Sequence, residues 1–407
     1  MYPTIYDAVK DLFGLNIPFL KLLQSFGFFV AISFLLCAWV FAKELHRKEV
    51  LGLLKATTRK IIVGARASRQ EMAGQFIFGF LVGWKLLSIP FSSGFSANPR
   101  EYILSGDGNI FIGVACGTLF SWWRWRQAEK KRLPEPKEEI EKVSAADHVG
   151  NMTLLAALFG FLGAKIFHIL ENIPSFAGPN ATQSFSDILI SFSGLTMYGG
   201  LICGGAAVLI YARRQGFGLF HVMDACAPGL LLAYGVGRVG CQVAGDGDWG
   251  IVNTAPKPGW MSFLPNWMWS YDYPNNVNHM CNPDENNPMY QILAQINCDP
   301  DHPRLVAPVF PTPFYETVMC LVLFALLWTF RKKFKTPGLL FSVYLICNGI
   351  ERFLIELIRV DTTMFYLGSF RVVQAEFIAF ILFLLGVTGI FLTRKLAKKN
   401  APTIASS

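Results

Sequence analysis

SFGFFVAISFLLCAWVFA, residues 25–42, runs for eighteen positions without a charged side chain. A helix needs about 20 mostly apolar residues to cross a hydrocarbon core of about 30 Å, so this stretch reads as a transmembrane helix. Working outward, further candidate spans fall at 74–92, 108–123, 149–171, 187–212, 218–239, 314–330, 337–358 and 370–393, nine in all. The expected fold is all-α, a polytopic transmembrane helical bundle. Composition agrees: 53% of the 407 residues are apolar and 16% charged, and Phe occurs 36 times. A soluble domain carries about 25% charged residues. This composition excludes a disordered chain, a coiled coil and a disulfide-stapled mini-protein.

The net charge of +8 does not point to nucleic acid, because no basic run is interleaved with exposed aromatics in a soluble segment. It orients the chain instead. Segments 43–73, 124–148, 213–217, 331–336 and 394–407 hold 25 of the 36 Lys and Arg, and the alternate segments hold seven. Positive charge stays on the cytoplasmic side, which places the N-terminus outside and the C-terminus inside. The expected divisions are an external N-terminal arm (1–24), an integral membrane domain (25–393) with a long external loop (240–313), and a basic cytoplasmic tail (394–407). The arm lacks the pattern of a signal peptide. Ile5, Val9, Leu12 and Phe13 sit at helical spacing, which suits a helix lying on the membrane surface, although a partly ordered arm accounts for them equally well. In the external loop, Trp249, Trp260, Trp267 and Trp269 suit contact with headgroups. Cys281 and Cys298 share that loop, in an oxidising compartment where a disulfide is expected. No cysteine spacing resembles a zinc site.

Ionisable residues at membrane depth are costly and therefore functional candidates. At 1.5 Å per helical residue, Lys165, Tyr198, Glu316 and Arg352 lie roughly 20–26 Å above the cytoplasmic ends of their spans, and Arg238 roughly 30 Å. Five polar groups from five spans thus converge on the outer half of the bilayer. A cationic pocket there suits an anionic lipid headgroup, and arginine suits phosphate through its fork of donors. Plainer readings stand beside these. Arg238 and Lys165 can snorkel to the interface, Glu316 can simply neutralise an arginine, and Tyr198 can be an interfacial aromatic. Arg352, Glu356 and Arg359 share one helix face and can form an ion-pair ladder. Asp224 reads as a structural hydrogen-bonder. Gly199 and Gly200 allow close helix approach or room for a ligand beside Tyr198.

The stretch Gly237-Arg238-Val239-Gly240-Cys241 through Gly245 to Trp249-Gly250 resembles the signature G-R-x-G-N-F-x-N-G-E of the bacterial prolipoprotein diacylglyceryl transferases. Five more blocks follow the family's order. Gly163-Ala164-Lys165 resembles G-A-R, Met197-Tyr198-Gly199-Gly200 resembles F-H-G-G, and Met223-Asp224 with Ala227-Pro228 resembles D-x-x-A-P. Pro311 with Tyr315-Glu316 resembles H-P-x-Q-x-Y-E, and Glu351-Arg352-Phe353 through Glu356 and Arg359 resembles F-R-F-x-x-E-x-x-R. The chain departs from the pattern at Tyr198, where the family has His, at Cys241 (Asn), at Lys165 (Arg) and at Phe26 (Tyr). Its glycine-rich loop is one residue longer, so Asp246 matches the family's Glu only loosely. The family has seven spans, which makes residues 74–148 an inserted span pair with a cytoplasmic linker.

The resemblance implies transfer of the diacylglyceryl group of phosphatidylglycerol to the lipobox cysteine thiol of a prolipoprotein signal peptide, forming a thioether and releasing glycerol phosphate. It places the enzyme in the bacterial inner membrane with its active site facing the outer leaflet. Arg238, Arg352 and Tyr198 are the implied catalytic residues. Arg238, Arg352, Gly199, Gly200, Lys165, Glu316 and Gly250 are the implied substrate-binding residues. The two arginines hold the phosphate and its developing charge. Tyr198, with a phenol pKa of about 10, is a poor thiol base and is expected to position substrate. The mechanism needs no metal and no organic cofactor. The rival reading is a transporter or channel for an anionic lipid or solute. It predicts polar groups continuing to the cytoplasmic side, where the sequence places little beyond Asp224. A membrane scaffold is disfavoured by the convergent arginines.

Overall fold

The computed structural model describes residues 1–91, 102, 106–173, 196–284, 287–299, 302–360, 364–367 and 370–399. In chain order its elements are α1 (Ile5–Phe13), α2 (Ser25–Val50), β1 (Thr57–Val63), α3 (Arg69–Leu81), α4 (Ile110–Lys130), β2 (Lys137–Val143), α5 (Val149–Glu171) and α6 (Met197–Arg214). They continue with α7 (Leu219–Ala244), α8 (Pro288–Asn297), α9 (Thr312–Phe330), α10 (Leu339–Glu356), β3 (Met364–Leu367), β4 (Phe370–Val373) and α11 (Gln374–Lys399). Two compact units result: Met1–Pro3 with Ser25–Thr57 and Ser144–Ser407, and Thr4–Gln24 with Thr58–Val143.

The fold is mostly helical. Five stretches of the described residues are long and apolar enough to cross a membrane: Ser25–Val50, Ala145–Glu171, Leu219–Ala244, Thr312–Lys333 and Gln374–Lys398. The helical expectation holds, and two short strand pairs that it did not include accompany the helices: β1 pairs with β2 and β3 with β4. The second pair is antiparallel, with Met364 opposite Val373. Residues 370–373 therefore form a strand of β-branched and aromatic character, and the last helix starts at Gln374 rather than at 370. The span expected at 74–92 is helical only to Leu81 in regular form. It then passes through a wide turn, Val82–Leu87, and a short 3-10 turn at Ile89–Phe91. Pro90 cannot donate into a regular ladder. In the expected 187–212 span, residues 187–195 lie outside those described.

In the smaller unit, α1 is a capped helix. The Thr4 hydroxyl accepts from the Asp7 N–H, and the Asp7 carboxylate accepts from the Thr4 N–H, a reciprocal box. α3 lies along α4 with glycine at the contact: a Cβ on Gly79 would meet the Cys116 carbonyl at 2.8 Å.

The larger unit is organised by α7, which packs along both α2 and α9. Its small residues permit this. Gly229 meets the Cys37 carbonyl at 3.2 Å, and Gly235 meets the Cys320 side chain at 3.0 Å, both measured from where a Cβ would stand. Ala227, Leu231, Cys320, Leu327, Leu340 and Tyr344 fill the space between α7, α9 and α10. α2 runs eight residues past the apolar stretch and carries its charges into the bundle. Buried Glu44 accepts from Arg331 at 3.0 Å, and buried Lys48 pairs with Asp224 at 3.5 Å. The sequence reading put little polarity at this end, and these partners explain why the helix continues. Asp224 also accepts from the Gly338 and Phe341 N–H groups at 2.8 and 2.9 Å. It satisfies the open N-terminus of α10, and charged hydrogen bonds of this kind contribute about 1.5–3 kcal/mol each.

Candidate functional site

Arg238 stands on the last two turns of α7, with Tyr234 one turn earlier on the same face. The helix ends because Gly245 adopts a left-handed conformation, φ 66°, and its N–H returns to the Cys241 carbonyl. Gly247 continues the turn at φ 99°. The chain reverses there and brings Asp248 back to Arg238, whose guanidinium donates to it. The same guanidinium lies 3.7 Å from the Cys241 sulfur.

Two further helices complete the cluster. Glu316, on the first turns of α9, is 1% exposed. Its Oε2 is 2.7 Å from Arg238 Nε, and its Oε1 accepts from Arg352 Nη1 of α10 at 3.1 Å. The Tyr234 hydroxyl donates to Oε1 at 2.9 Å and accepts from Arg238 Nη2 at 3.2 Å. Arg352 also pairs with Glu356, four residues on, at 3.4 Å. Arg359, just beyond α10, donates to the second oxygen of Asp248. One aspartate thus joins two guanidinium groups by its two oxygens, the geometry in which paired phosphate oxygens are held.

A backbone frame fixes this arrangement. Gly250 forms a bridge with Arg359, its N–H donates to the Phe310 carbonyl at 2.8 Å, and the Ile251 N–H donates to Ile358 at 2.9 Å. A Cβ on Gly250 would come within 2.8 Å of the Phe310 side chain, so a larger residue would push the strands apart. Thr312 Oγ1 donates to the Asp248 carbonyl at 2.6 Å. Burial pushes the Asp248 carboxyl up, but Arg238 and Arg359 outweigh it and hold it below the ordinary value. Burial and the neighbouring Asp248 push Asp246 up.

The loop beneath is itself packed. Trp249, Tyr273, Leu305 and Val309 form a small core. Trp249 is 2% exposed and donates from Nε1 to the Pro283 carbonyl at 3.1 Å. It therefore does not rest on headgroups as its composition suggested, while Trp260 stays exposed. Cys281 and Cys298 are joined by a disulfide, with Cα atoms 5.7 Å apart.

The other expected residues lie on the α5–α6 pair. Lys165 is buried on α5, and the Thr196 N–H donates to the Ala164 carbonyl beside it at 3.1 Å. Tyr198 and buried Gly199 stand on the first turn of α6, where Gly199 packs on Phe167 and Gly163. Gly200 approaches the Gly160 carbonyl at 3.1 Å from its Cβ position. The structure therefore joins Arg238, Arg352 and Glu316 in one network, frames Gly250 beside it, and seats Lys165, Tyr198, Gly199 and Gly200 on a separate helix pair.

The sequence reading missed Tyr234 and Asp248. Tyr234 was detectable from its i, i+4 spacing to Arg238. Asp248 required the Gly245 turn, which only the folded chain displays. The assembly gathers three guanidinium groups, each held by a carboxylate, and forked donors of this kind are the groups that pair with phosphate oxygens.

Residues 110–392 match the family model for prolipoprotein diacylglyceryl transferase. Among similar proteins, the phosphatidylglycerol–prolipoprotein diacylglyceryl transferase of Leptospira interrogans is 27% identical over 253 residues, covering 56% of this chain and 67% of the relative. The enzyme of that name from Gloeobacter violaceus is 27% identical over 296 residues, 72% of this chain and 90% of the relative. The one from Clostridium tetani is 25% identical over 217 residues, 53% and 70% respectively.

Proposed function

The chain belongs to the prolipoprotein diacylglyceryl transferase family, and we propose that Arg238 and Arg352 hold the phosphate of phosphatidylglycerol while a prolipoprotein thiol displaces it. The protein is a transferase of lipoprotein biosynthesis that moves a diacylglyceryl group from phosphatidylglycerol to prolipoproteins. This assignment leaves the transporter reading without support.

The acceptor is the lipobox cysteine at the end of a signal peptide. Its thiolate attacks the glyceryl carbon next to the phosphate, a thioether forms, and glycerol phosphate departs. The observation that carries this reading is the shared grip of Arg238 and Arg352 on Glu316, beside the Asp248 bridge to Arg359. Asp248, less buried than Glu316, occupies the place that phosphate oxygens take. Glu316 keeps the two arginines parallel when the lipid arrives. Lys165, Tyr198, Gly199 and Gly200 line the approach from α5 and α6, with Tyr198 positioning lipid or thiol. Gly250 keeps the loop tight over the arginines.

The protein sits in the bacterial inner membrane as nine spans, N-terminus outside, with the site open to the outer leaflet. The basic-residue asymmetry supports that orientation. Both substrates are amphipathic and enter sideways between helices.

The test incubates purified protein with labelled phosphatidylglycerol and a lipobox peptide, scoring peptide lipidation and glycerol phosphate together. Arg238→Ala and Arg352→Ala should each lower transfer by about 100-fold or more, because a preorganised charge contact at the leaving group is lost. Near-normal transfer by either variant at equal protein level removes that arginine from the mechanism.

A further inference from the structure

Glu351 differs from the acids that bridge the arginines. It lies on α10 immediately before Arg352 and is 1% exposed. Among the described residues, neither carboxyl oxygen has a hydrogen-bond partner and no ion pair reaches it. The bridging acids are committed. Glu316 holds Arg238, Arg352 and the Tyr234 hydroxyl. Asp248 holds Arg238 and Arg359, and Glu356 pairs with Arg352. A buried carboxyl without a partner is costly, and its presence within electrostatic range of Glu316, Arg352 and Arg238 calls for a role.

The transfer reaction requires one. A thiol must lose a proton before it attacks, and the residue at the head of α6 is a phenol, a poor acceptor at neutral pH. Taking the transfer reading as given, we propose that Glu351 accepts the proton that the prolipoprotein thiol loses. The S–H bond breaks and its proton goes to a Glu351 oxygen. The sulfur electron pair forms the C–S bond, and the C–O bond to phosphate breaks with its pair left on the phosphate oxygen. Glycerol phosphate leaves with one more negative charge, held by the arginines, and Glu351 then returns its proton to water. No oxidant or reductant takes part.

The surroundings suit this task. From α7, Glu351 is faced by Tyr234 and Arg238, and from α9 by Glu316 and Cys320. On its own helix it is flanked by Arg352 and Tyr344. α11 packs against α10 at Gly349 through Ala379 and Phe383, which do not titrate. A solvated carboxylate is a weak acceptor for a thiol, and seclusion from hydrogen-bond donors is the general way an enzyme makes a stronger one. Two cations within range keep the ionised form accessible. Glu316, Asp248 and Glu356 are tied to arginines, so Glu351, unlike them, can take a proton without breaking an arginine bridge.

The experiment uses full-length protein in phosphatidylglycerol vesicles with a fluorescent lipobox peptide, comparing wild type, Glu351→Gln and Glu351→Asp from about pH 6 to about pH 9.5, a range that brackets the free thiol's titration. At neutral pH the Gln variant should be 10²- to 10⁴-fold slower, roughly the worth of a general base, and the Asp variant should recover part of the rate. The deficit of Gln should narrow toward the alkaline end, where the peptide thiol ionises unaided near its pKa of about 8.5. A merely structural role gives a deficit that is the same at every pH, and that result overturns the proposal, as does a Gln variant equal to wild type. Should the Gln variant not accumulate, the wild-type profile decides. A rate that levels off below the thiol's own titration supports the proposal, and one that only tracks that titration overturns it. A wild-type protein that lipidates no peptide overturns the transfer reading itself. Normal wild-type transfer with an unimpaired Gln variant overturns only the role of Glu351.

Discussion

Arg238 and Arg352 stand on different helices and grip opposite oxygens of one carboxylate, Glu316, at 2.7 and 3.1 Å. Removing that carboxylate leaves two cations facing each other in a nearly dry space. Glu316→Ala should therefore cost about 3–5 kcal/mol of stability, the range for breaking a buried ion pair from one side, and should abolish transfer as well. Thermal unfolding in detergent reads the first effect and peptide lipidation the second. A Glu316→Ala protein as stable as wild type would contradict the shared grip.

Arg352→Lys keeps the charge and loses the fork. Nη1 reaches Glu316 while Nη2 pairs with Glu356, a double engagement that a single ammonium cannot reproduce. Transfer should fall nearly as far as in Arg352→Ala, by about 100-fold. Transfer rates at saturating and limiting phosphatidylglycerol measure it. A lysine variant within about threefold of wild type would show that charge alone suffices.

Tyr198 is expected to work by its shape. Tyr198→Phe should retain part of the activity, and Tyr198→Ala should lose most of it, since Tyr198 stands next to Gly199 on the first turn of α6 and alanine lacks the ring. The decisive comparison is the rate of the two variants. A Phe variant as slow as Ala, with a wild-type rate following a phenol-like titration, would make Tyr198 the base and deny that role to Glu351.

The paired acids of the glycine turn respond oppositely to pH. The Asp248 carboxyl is held below its ordinary value, so its contribution to stability is complete above the unfolded value of about 3.9 and is lost as pH falls through the lower folded value. Asp246 is pushed up by burial and by Asp248. Its effect is favourable at acid pH and disappears as pH rises through the folded value. At neutral pH, Asp248→Asn should thus destabilise the protein, while Asp246→Asn should stabilise it. Melting temperatures at neutral and acid pH give both signs, and equal shifts for the two variants would refute the assignment.

The Cys281–Cys298 link closes a loop of sequence separation 17, and in the chain-entropy model such closure is worth about 3 kcal/mol. Mass spectrometry of non-reduced digests should recover the cross-linked peptide. Reduction should increase protease cutting near Asn282 before it affects the helices. Free thiols in protein prepared without reductant would count against the link.

How much of this was legible in the sequence depends on the physics of each residue. Arg238, Arg352 and Glu316 declare themselves because a charge at membrane depth is rare and costly. Tyr234 offers only its i, i+4 spacing to Arg238 as a signal, and the bonds of its hydroxyl to Arg238 and Glu316 give that spacing its meaning. Asp248 lies in a loop rich in Asp and Asn, where an acid carries no signal, and only the reversal at Gly245 gives it arginine partners. Trp249 misled in the other direction, because membrane-surface tryptophans and loop-core tryptophans are alike in sequence. Helix ends were harder still. α2 continues through Lys43–Val50 because Glu44 and Lys48 find Arg331 and Asp224, partners nearly 300 and nearly 200 positions away, which no local pattern encodes.

The order in which the paired charges leave the ribosome follows from the same cluster. Asp248 waits for Arg359, 111 positions later, and Glu316 waits for Arg352, 36 positions later. Reading Arg238, Asp248, Glu316, Arg352, Glu356 and Arg359 in succession, the running charge of these six paired side chains never departs from neutrality by more than one unit. A growing chain therefore never has to store more than a single uncompensated charge of this set in the bilayer, although a centre of three arginines is being built there. The sequence order of the acids and bases is thus also an insertion schedule, and exchanging Glu316 with Arg352 would set an arginine against Arg238 and leave two like charges side by side.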